Sequence, residues 1–323
     1  MSRDDGPNGL SDLSIDDLET VFQHADYVAE SDIVTTVHLA LRLGKPLLVE
    51  GPPGAGKTEL AKVLATAVET DLVRLQCYEG LTAENTLYEW NYTKQLLAVQ
   101  AGSAGVEEES PGRTESVFSE EYLLERPLLK ALRGDDDDPT VLLIDEVDRA
   151  DEEFEALLLE VLSDFQVTVP ELGSIEAPVP PIVVITSNRT RGLSDALKRR
   201  CLYLYIEPPS FEKELDIVQR KVPFLDVSLA RQVVNAVQRL RDEPLRKQPG
   251  VSETLDWARA IGTLEENGEG SLSDEQIRET IGCLLKEAED IERVDDDLID
   301  RMLEAEREDV ADATIAGDGP DVE

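Results

Sequence analysis

Residues 51–58 read GPPGAGKT, directly after the apolar run LLV at 47–49 and before TELAKVLATAVET, whose apolar spacing is helical. The string fits G-x-x-x-x-G-K-[ST] in the context it needs, a strand before and a helix behind. That context restricts the chain to folds in which a buried strand delivers its C-terminal end to a phosphate group. Gly51, Gly54 and Gly56 let backbone N–H groups turn inward, with Pro52, Pro53 and Ala55 completing the loop. The helix behind them directs its positive end the same way. Lys57 offers a charge to the β- and γ-phosphates of ATP, Thr58 offers a hydroxyl to Mg2+, and Glu59 closes the binding segment.

The remaining strands are read from continuous apolar runs. KPLLVEG, DLVRLQCYE, PTVLLIDEVD, PIVVITSN and CLYLYIEPP read as strands, and PTVLLIDEVD and PIVVITSN are continuous β-branched runs of the kind a parallel sheet buries on both faces. Helical patterns fall between them, which predicts an α/β core with a parallel sheet flanked by helices. Helices are also expected over 18–43, where Ile33, Val37, Ala40 and Leu41 share a face, Ser31 or Asp32 caps the start and Gly44 marks the stop. After Pro209 the patterns are helical only, so a smaller all-α domain follows. The expected organisation is a flexible acidic leader at 1–18, the α/β domain at 19–209, a helical domain at 210–294 and an acidic tail at 295–323, with a short helix ahead of its closing ATIAGDGPDVE. Residues 101–116 read as a loop insertion, and 165–182 as a β-hairpin turning around Glu171–Gly173.

The acid pair Asp145–Glu146 ends the run VLLI at the C-terminal end of its strand, where ligands bind in such sheets. Asp145 suits Mg2+, directly or through water, and Glu146 suits the base that polarises an attacking water. Nearby Asp148 is read as structural and Arg149 as a subunit-contact candidate. Asn188, at the end of the next strand, is placed to hold that water or the γ-phosphate. Arg199 and Arg200 stand at a probable helix end. They fit either a dipole-matching charge or an arginine finger supplied in trans to a neighbour's nucleotide, a role that requires an oligomer.

Charge narrows the partners. The 70 acidic residues face 31 basic ones, only 10 of them lysine, for a formal net charge of −39. Such a surface repels phosphate backbones, which speaks against nucleic-acid binding. Because the acid is spread along the whole chain, adaptation to concentrated salt explains it better than one basic partner. Cys77, Cys201 and Cys283 lie far apart with no metal-ligand spacing, as small buried side chains of a reducing compartment would. The polar N-terminal stretch has no signal-like apolar region, and no run reaches the roughly 20 residues that span a bilayer. A cytoplasmic protein is expected.

The order GPPGAGKT, LLIDEVD, ITSN and ALKRR ahead of a helical lid resembles the AAA+ ATPases. Within them the chain is similar to the MoxR type, and to its CoxD-like branch, chaperone-like ATPases linked to metalloenzyme maturation. LVEGPPGAGKTELAK (48–62), RLQCYEGLTAENTLYEWNYTKQLL (74–97) and PGVSETLDWARAI (249–261) carry that narrower likeness, which covers about 20–290. The resemblance implies a P-loop core plus a C-terminal all-α lid, a homo-oligomer in the form of a hexameric ring, a von Willebrand A-type partner and a metalloenzyme client such as a molybdenum hydroxylase. It makes Asn188 the first sensor and Arg200 or Arg199 the finger, and puts Tyr27 and Val28 against adenine. One departure stands out. Many members carry an arginine inside a lid G-x-S-x-R motif, whereas GVSETLDWAR puts Thr254 there and Arg259 a turn and a half further on.

Together these features point to a Mg2+-dependent ATP hydrolase that remodels a protein client. Against it stand a nucleic-acid-directed or restriction-type motor, a metal chelatase subunit and a nucleotide sensor that does not turn over. The aromatic alternation Tyr88, Trp90, Tyr92 fits either core packing or a client-facing element.

Overall fold

The computed structural model describes residues 13–104, 118–134, 139–170, 172–264 and 271–303. They group into two compact units. The first holds the described residues up to Ala25, then Ala29–Gly51 and Lys57–Ile206; the second holds Asp26–Val28, Pro52–Gly56 and the residues from Glu207 onward.

The strands run β1 Leu47–Glu50, β2 Leu72–Gln76, β3 Tyr88–Trp90, β4 Leu123–Glu125, β5 Val141–Asp145, β6 Gln166–Val169, β7 Gly173–Glu176, β8 Ile182–Ser187 and β9 Leu202–Tyr205. β2, β5, β8, β1 and β9 lie side by side in that order, every pairing parallel. These are the five apolar runs of the sequence. β1 and β5 are buried along their whole length, as an apolar run covered on both faces must be. The helices of this unit are α1 Ile15–His24, α2 Ser31–Leu43, α3 Lys57–Ala67, α4 Ala83–Thr86, α5 Tyr92–Ala104, α6 Pro127–Arg133, α7 Glu152–Asp164 and α8 Asp195–Arg200. Its core packs Leu128, Leu129, Leu132, Phe154 and Leu158 with Leu142 and Ile144 of β5 and Val183 and Ile185 of β8.

The hairpin read at 165–182 is present: β6 and β7 pair antiparallel, with Gly173 at φ +89° in the turn. The aromatic segment divides. Trp90 is buried edge-on to Tyr88 and Phe118, while Tyr92 is exposed at the start of α5. The insertion read at 101–116 falls largely outside the described residues.

The second unit contains α9 Phe211–Lys221, α10 Val227–Arg241, α11 Val251–Leu264, α12 Asp274–Thr280 and α13 Ala288–Ile291. Its core joins Val233, Val234 and Val237 of α10 to Trp257 and Ile261 of α11 and to Leu284 and Leu285.

One segment end differs from the sequence reading. α1 begins at Ile15, inside the stretch taken as leader. Ser14 and Asp17 form a reciprocal capping box there, and Leu18 and Phe22 are buried. The preceding residues lie outside the description. At the other end, the short helix read ahead of the tail is present at 296–303, and Leu298, Ile299 and Met302 are buried in the second core.

Candidate nucleotide site

In the first unit, β1 ends at Glu50 and Gly51, and the chain returns to this unit at Lys57, the first residue of α3. A Cβ on Gly51 would lie 2.4 Å from the Ile206 carbonyl oxygen, so only glycine fits. Lys57 is buried and donates from Nζ to the Gly51 carbonyl oxygen at 2.8 Å. Burial lowers its pKa, opposed by the charges of Asp148, Asp145 and Glu146. Three carboxylates thus hold the ammonium charge at the mouth of α3.

Asp145 closes β5 and is 3% exposed. Its Oδ1 accepts from Thr58 Oγ1 at 3.1 Å and Thr186 Oγ1 at 2.5 Å, and its Oδ2 accepts from Arg74 Nε at 3.1 Å and Nη2 at 2.5 Å. Glu146 follows in the left-handed region at φ +56°, a conformation that costs a non-glycine residue roughly 1 kcal/mol or more. Its N–H is held by Thr186 Oγ1 at 3.0 Å. The carboxylate is gripped on both oxygens. Gln76 Nε2 donates to Oε2 at 3.0 Å, Arg149 Nε lies 2.9 Å from Oε2, and Asn188 Nδ2 donates to Oε1 at 3.4 Å.

Asp148 is a buried organiser of this end of the sheet. It accepts from the Asn188 N–H at 3.1 Å and from the N–H and hydroxyl of Thr190 at 2.8 and 2.6 Å. Burial pushes its pKa up, but the bonds from Thr190 and Asn188 outweigh that and hold it below the ordinary carboxylate value.

The sequence reading therefore has Thr58, Asp145, Glu146 and Asn188 brought together, with Lys57 beside them. Arg149 faces Glu146 within the same chain. Arg199 and Arg200 close α8, where Arg200 Nε donates to Ser163 Oγ on α7 at 3.1 Å. Glu59 pairs along its own helix with Lys62 at 3.1 Å. Arg74, Gln76 and Thr186 were not singled out from sequence. Their signal was the alternation of polar residues in otherwise apolar strands: Gln76 registers with Asp145 across β2 and β5, and Arg74 stands two positions earlier on the same face.

In the second unit, Gly54 at φ +80° and Gly56 at φ +87° give loop residues 52–56 a path closed to other side chains. The Tyr27 ring lies 3.8 Å from where a Gly56 Cβ would stand. A Cβ on Gly250 would meet the Pro53 carbonyl oxygen at 2.9 Å and Gly54 Cα at 3.2 Å, so the corner before α11 presses directly on the loop. Val28 is half-buried beside Tyr27 in sequence. Thr254 is fully buried, donating from Oγ1 to Glu214 Oε1 at 2.7 Å and accepting from Arg241 Nη2 at 3.1 Å. Arg259 is exposed and pairs with Asp256 of its own helix at 3.0 Å.

The donor set fits magnesium. Among the described residues no group of three or more His, Cys, Asp or Glu has a metal-binding arrangement. Magnesium beside phosphates takes only one or two carboxylates, however, and keeps water and phosphate oxygens for the rest. One buried carboxylate within hydrogen-bond reach of a hydroxyl supplies that minimum.

Residues 46–201 match the model of the AAA domain (dynein-related subfamily). This segment, just under half of the chain, is similar to AAA domains. Uncharacterized proteins of two staphylococci are similar over most of their length. That of Staphylococcus haemolyticus is 26% identical over 245 residues, 74% of this chain and 83% of its own. One from Staphylococcus aureus is 25% identical over 240 residues, 72% and 81%. Among solved structures, a variant of Thermotoga maritima RuvB aligns over 84% of this chain and 72% of its own, at 18% identity and a TM-score of 0.42. The matched segment thus takes in β1, the phosphate-type loop, the acid pair, Asn188 and the arginines of α8. No helix among the described residues is long and apolar enough to cross a membrane.

Proposed function

We propose that this AAA protein hydrolyses ATP with Mg2+ and uses the cycle, as a ring of the MoxR and CoxD-like type, to remodel a client protein. The observation that carries the reading is the grip on Glu146. The contacts of Asn188, Gln76 and Arg149 that fix this carboxylate one residue from the Asp145–Thr58 pair support its reading as the base for an attacking water.

In this reading Lys57 and the loop Gly51–Gly56 hold the phosphates, Thr58 and Asp145 hold Mg2+, and Glu59 belongs to the same segment. Bound there, the metal would neutralise charge on the phosphate oxygens. Asn188 orients the water, and Tyr27 and Val28 flank the base. Arg200, or Arg199, acts on the nucleotide of a neighbouring subunit, consistent with its lack of any role at its own acid pair. A hexameric ring, a von Willebrand A-type partner, a metalloenzyme client and a cytoplasmic, salt-rich setting complete the proposal. The high negative charge favours a protein over a nucleic acid as the client.

Glu146→Gln tests it. The variant should bind ATP as tightly as the parent while hydrolysis falls by about 100-fold or more. Unchanged turnover would remove Glu146 from the chemistry.

A further inference from the structure

Asp145 engages more cationic charge than a magnesium-facing carboxylate needs. Arg74 approaches its Oδ2 with two nitrogens, Nε at 3.1 Å and Nη2 at 2.5 Å, and the same Nη2 donates to Gln76 Oε1 at 2.8 Å. The Arg74 side chain is 53% exposed and the Asp145 side chain 5%. The guanidinium therefore reaches inward from solvent onto a buried carboxylate whose other oxygen faces the Thr58 hydroxyl. β2 fixes this approach, because Arg74 and Gln76 share the face that neighbours the end of β5.

We propose that Arg74 competes with the divalent cation for Asp145, so that loading of the metal requires the guanidinium to leave. This rests on reading the site as one for Mg2+ and ATP. A guanidinium and a divalent cation on the same carboxylate repel each other at a few ångströms, and each satisfies the charge that the other would. The half-exposed Arg74 can regain water on leaving, so its hold is modest and reversible. Arg74 thereby sets how much free Mg2+ the site needs, without touching the phosphates itself.

The test uses the full chain with a non-hydrolysable ATP analogue. Mn2+ is titrated as the probe, and free Mn2+ is followed by electron paramagnetic resonance. Arg74→Ala should raise Mn2+ affinity roughly twofold to fivefold, the range that a partly exposed ion pair supports. Its affinity for the analogue in EDTA should stay unchanged. Arg74→Lys, which keeps the charge but loses the two-nitrogen approach, should fall between parent and Ala, and it carries the test if the Ala variant fails to fold. As a second readout, Mg2+ should raise the Tm of the analogue-bound Arg74→Ala protein more than that of the parent. Mn2+ affinity that is unchanged or weaker in the variants overturns the proposal and makes Arg74 a fixed support of Asp145. A parent protein that binds the analogue without any Mn2+ dependence would instead overturn the Mg2+–ATP reading of the site.

Discussion

Arg241 is the residue whose removal the second unit should tolerate least. Its Nη1 and Nη2 meet the two oxygens of Glu214 at 2.6 and 2.7 Å, and Glu214 is completely buried. Nε donates to the Pro249 carbonyl oxygen at 2.8 Å, and Gln238 and Thr254 complete the shell around the carboxylate. Arg241→Ala leaves that buried carboxylate with neutral donors alone, a change that costs about 3–5 kcal/mol. For a unit of roughly 100 residues each kcal/mol moves Tm by about 4–8 °C, so the transition should fall by more than about 12 °C. Trp257, fully buried in this core and donating to Thr280 Oγ1 at 2.7 Å, reports the unfolding by fluorescence. A Trp90→Phe background silences the tryptophan of the first unit. Replacing both partners by apolar residues, Arg241→Met with Glu214→Leu, should recover most of the loss, because no charge is then stranded. A loss below about 1 kcal/mol for Arg241→Ala would mean that Glu214 does not depend on the guanidinium for its charge.

Four further outcomes follow from the same contacts. Asp148→Ala removes the acceptor of three hydrogen bonds at Asn188 and Thr190, so it should cost about 2–4 kcal/mol by denaturant titration and lower turnover together with it. Gly250→Ala drives a Cβ against the Pro53 carbonyl, and isothermal titration should show weaker ATP binding with little change in the stability of the first unit. Asp148 and Glu155 are both pushed up by burial but held below their ordinary values by their hydrogen bonds, those of Glu155 coming from Ser194 and Arg191. Their stabilisation is complete above the unfolded carboxylate value, about 4, and is lost as pH falls through the lower folded value, so Tm should drop below about pH 4 and drop less in Asp148→Asn. Burial pushes the Cys77 and Cys201 thiols up to about 12, so native labelling with iodoacetamide at neutral pH should spare both.

Much of this architecture was legible because the chemistry is local. The five apolar runs read as strands form one parallel sheet, with β1 and β5 buried along their whole length. GPPGAGKT and IDE each carry their meaning within a few residues, and the structure brings Thr58 within 3.1 Å of Asp145. The hairpin turned on Gly173, as its composition suggested. What escaped was decided across strands. Arg74 and Gln76 look like ordinary polar positions until β2 is paired with β5, and Thr186 is a strand residue until its hydroxyl is seen to bridge Asp145 and the Glu146 N–H. Thr254 was an anomaly in a motif, and its reason, a buried ion pair 13 residues and more away in sequence, lies outside any local pattern.

ATP hydrolysis at the site built on Lys57, Asp145 and Glu146 is read by steady-state phosphate release from the whole chain. Release should require ATP and Mg2+, stop with EDTA and fall to background in Lys57→Ala while that variant keeps its fold by circular dichroism. Release that persists at the parent rate in Lys57→Ala, or a folded parent protein that releases no phosphate across a range of salt concentrations, would contradict it.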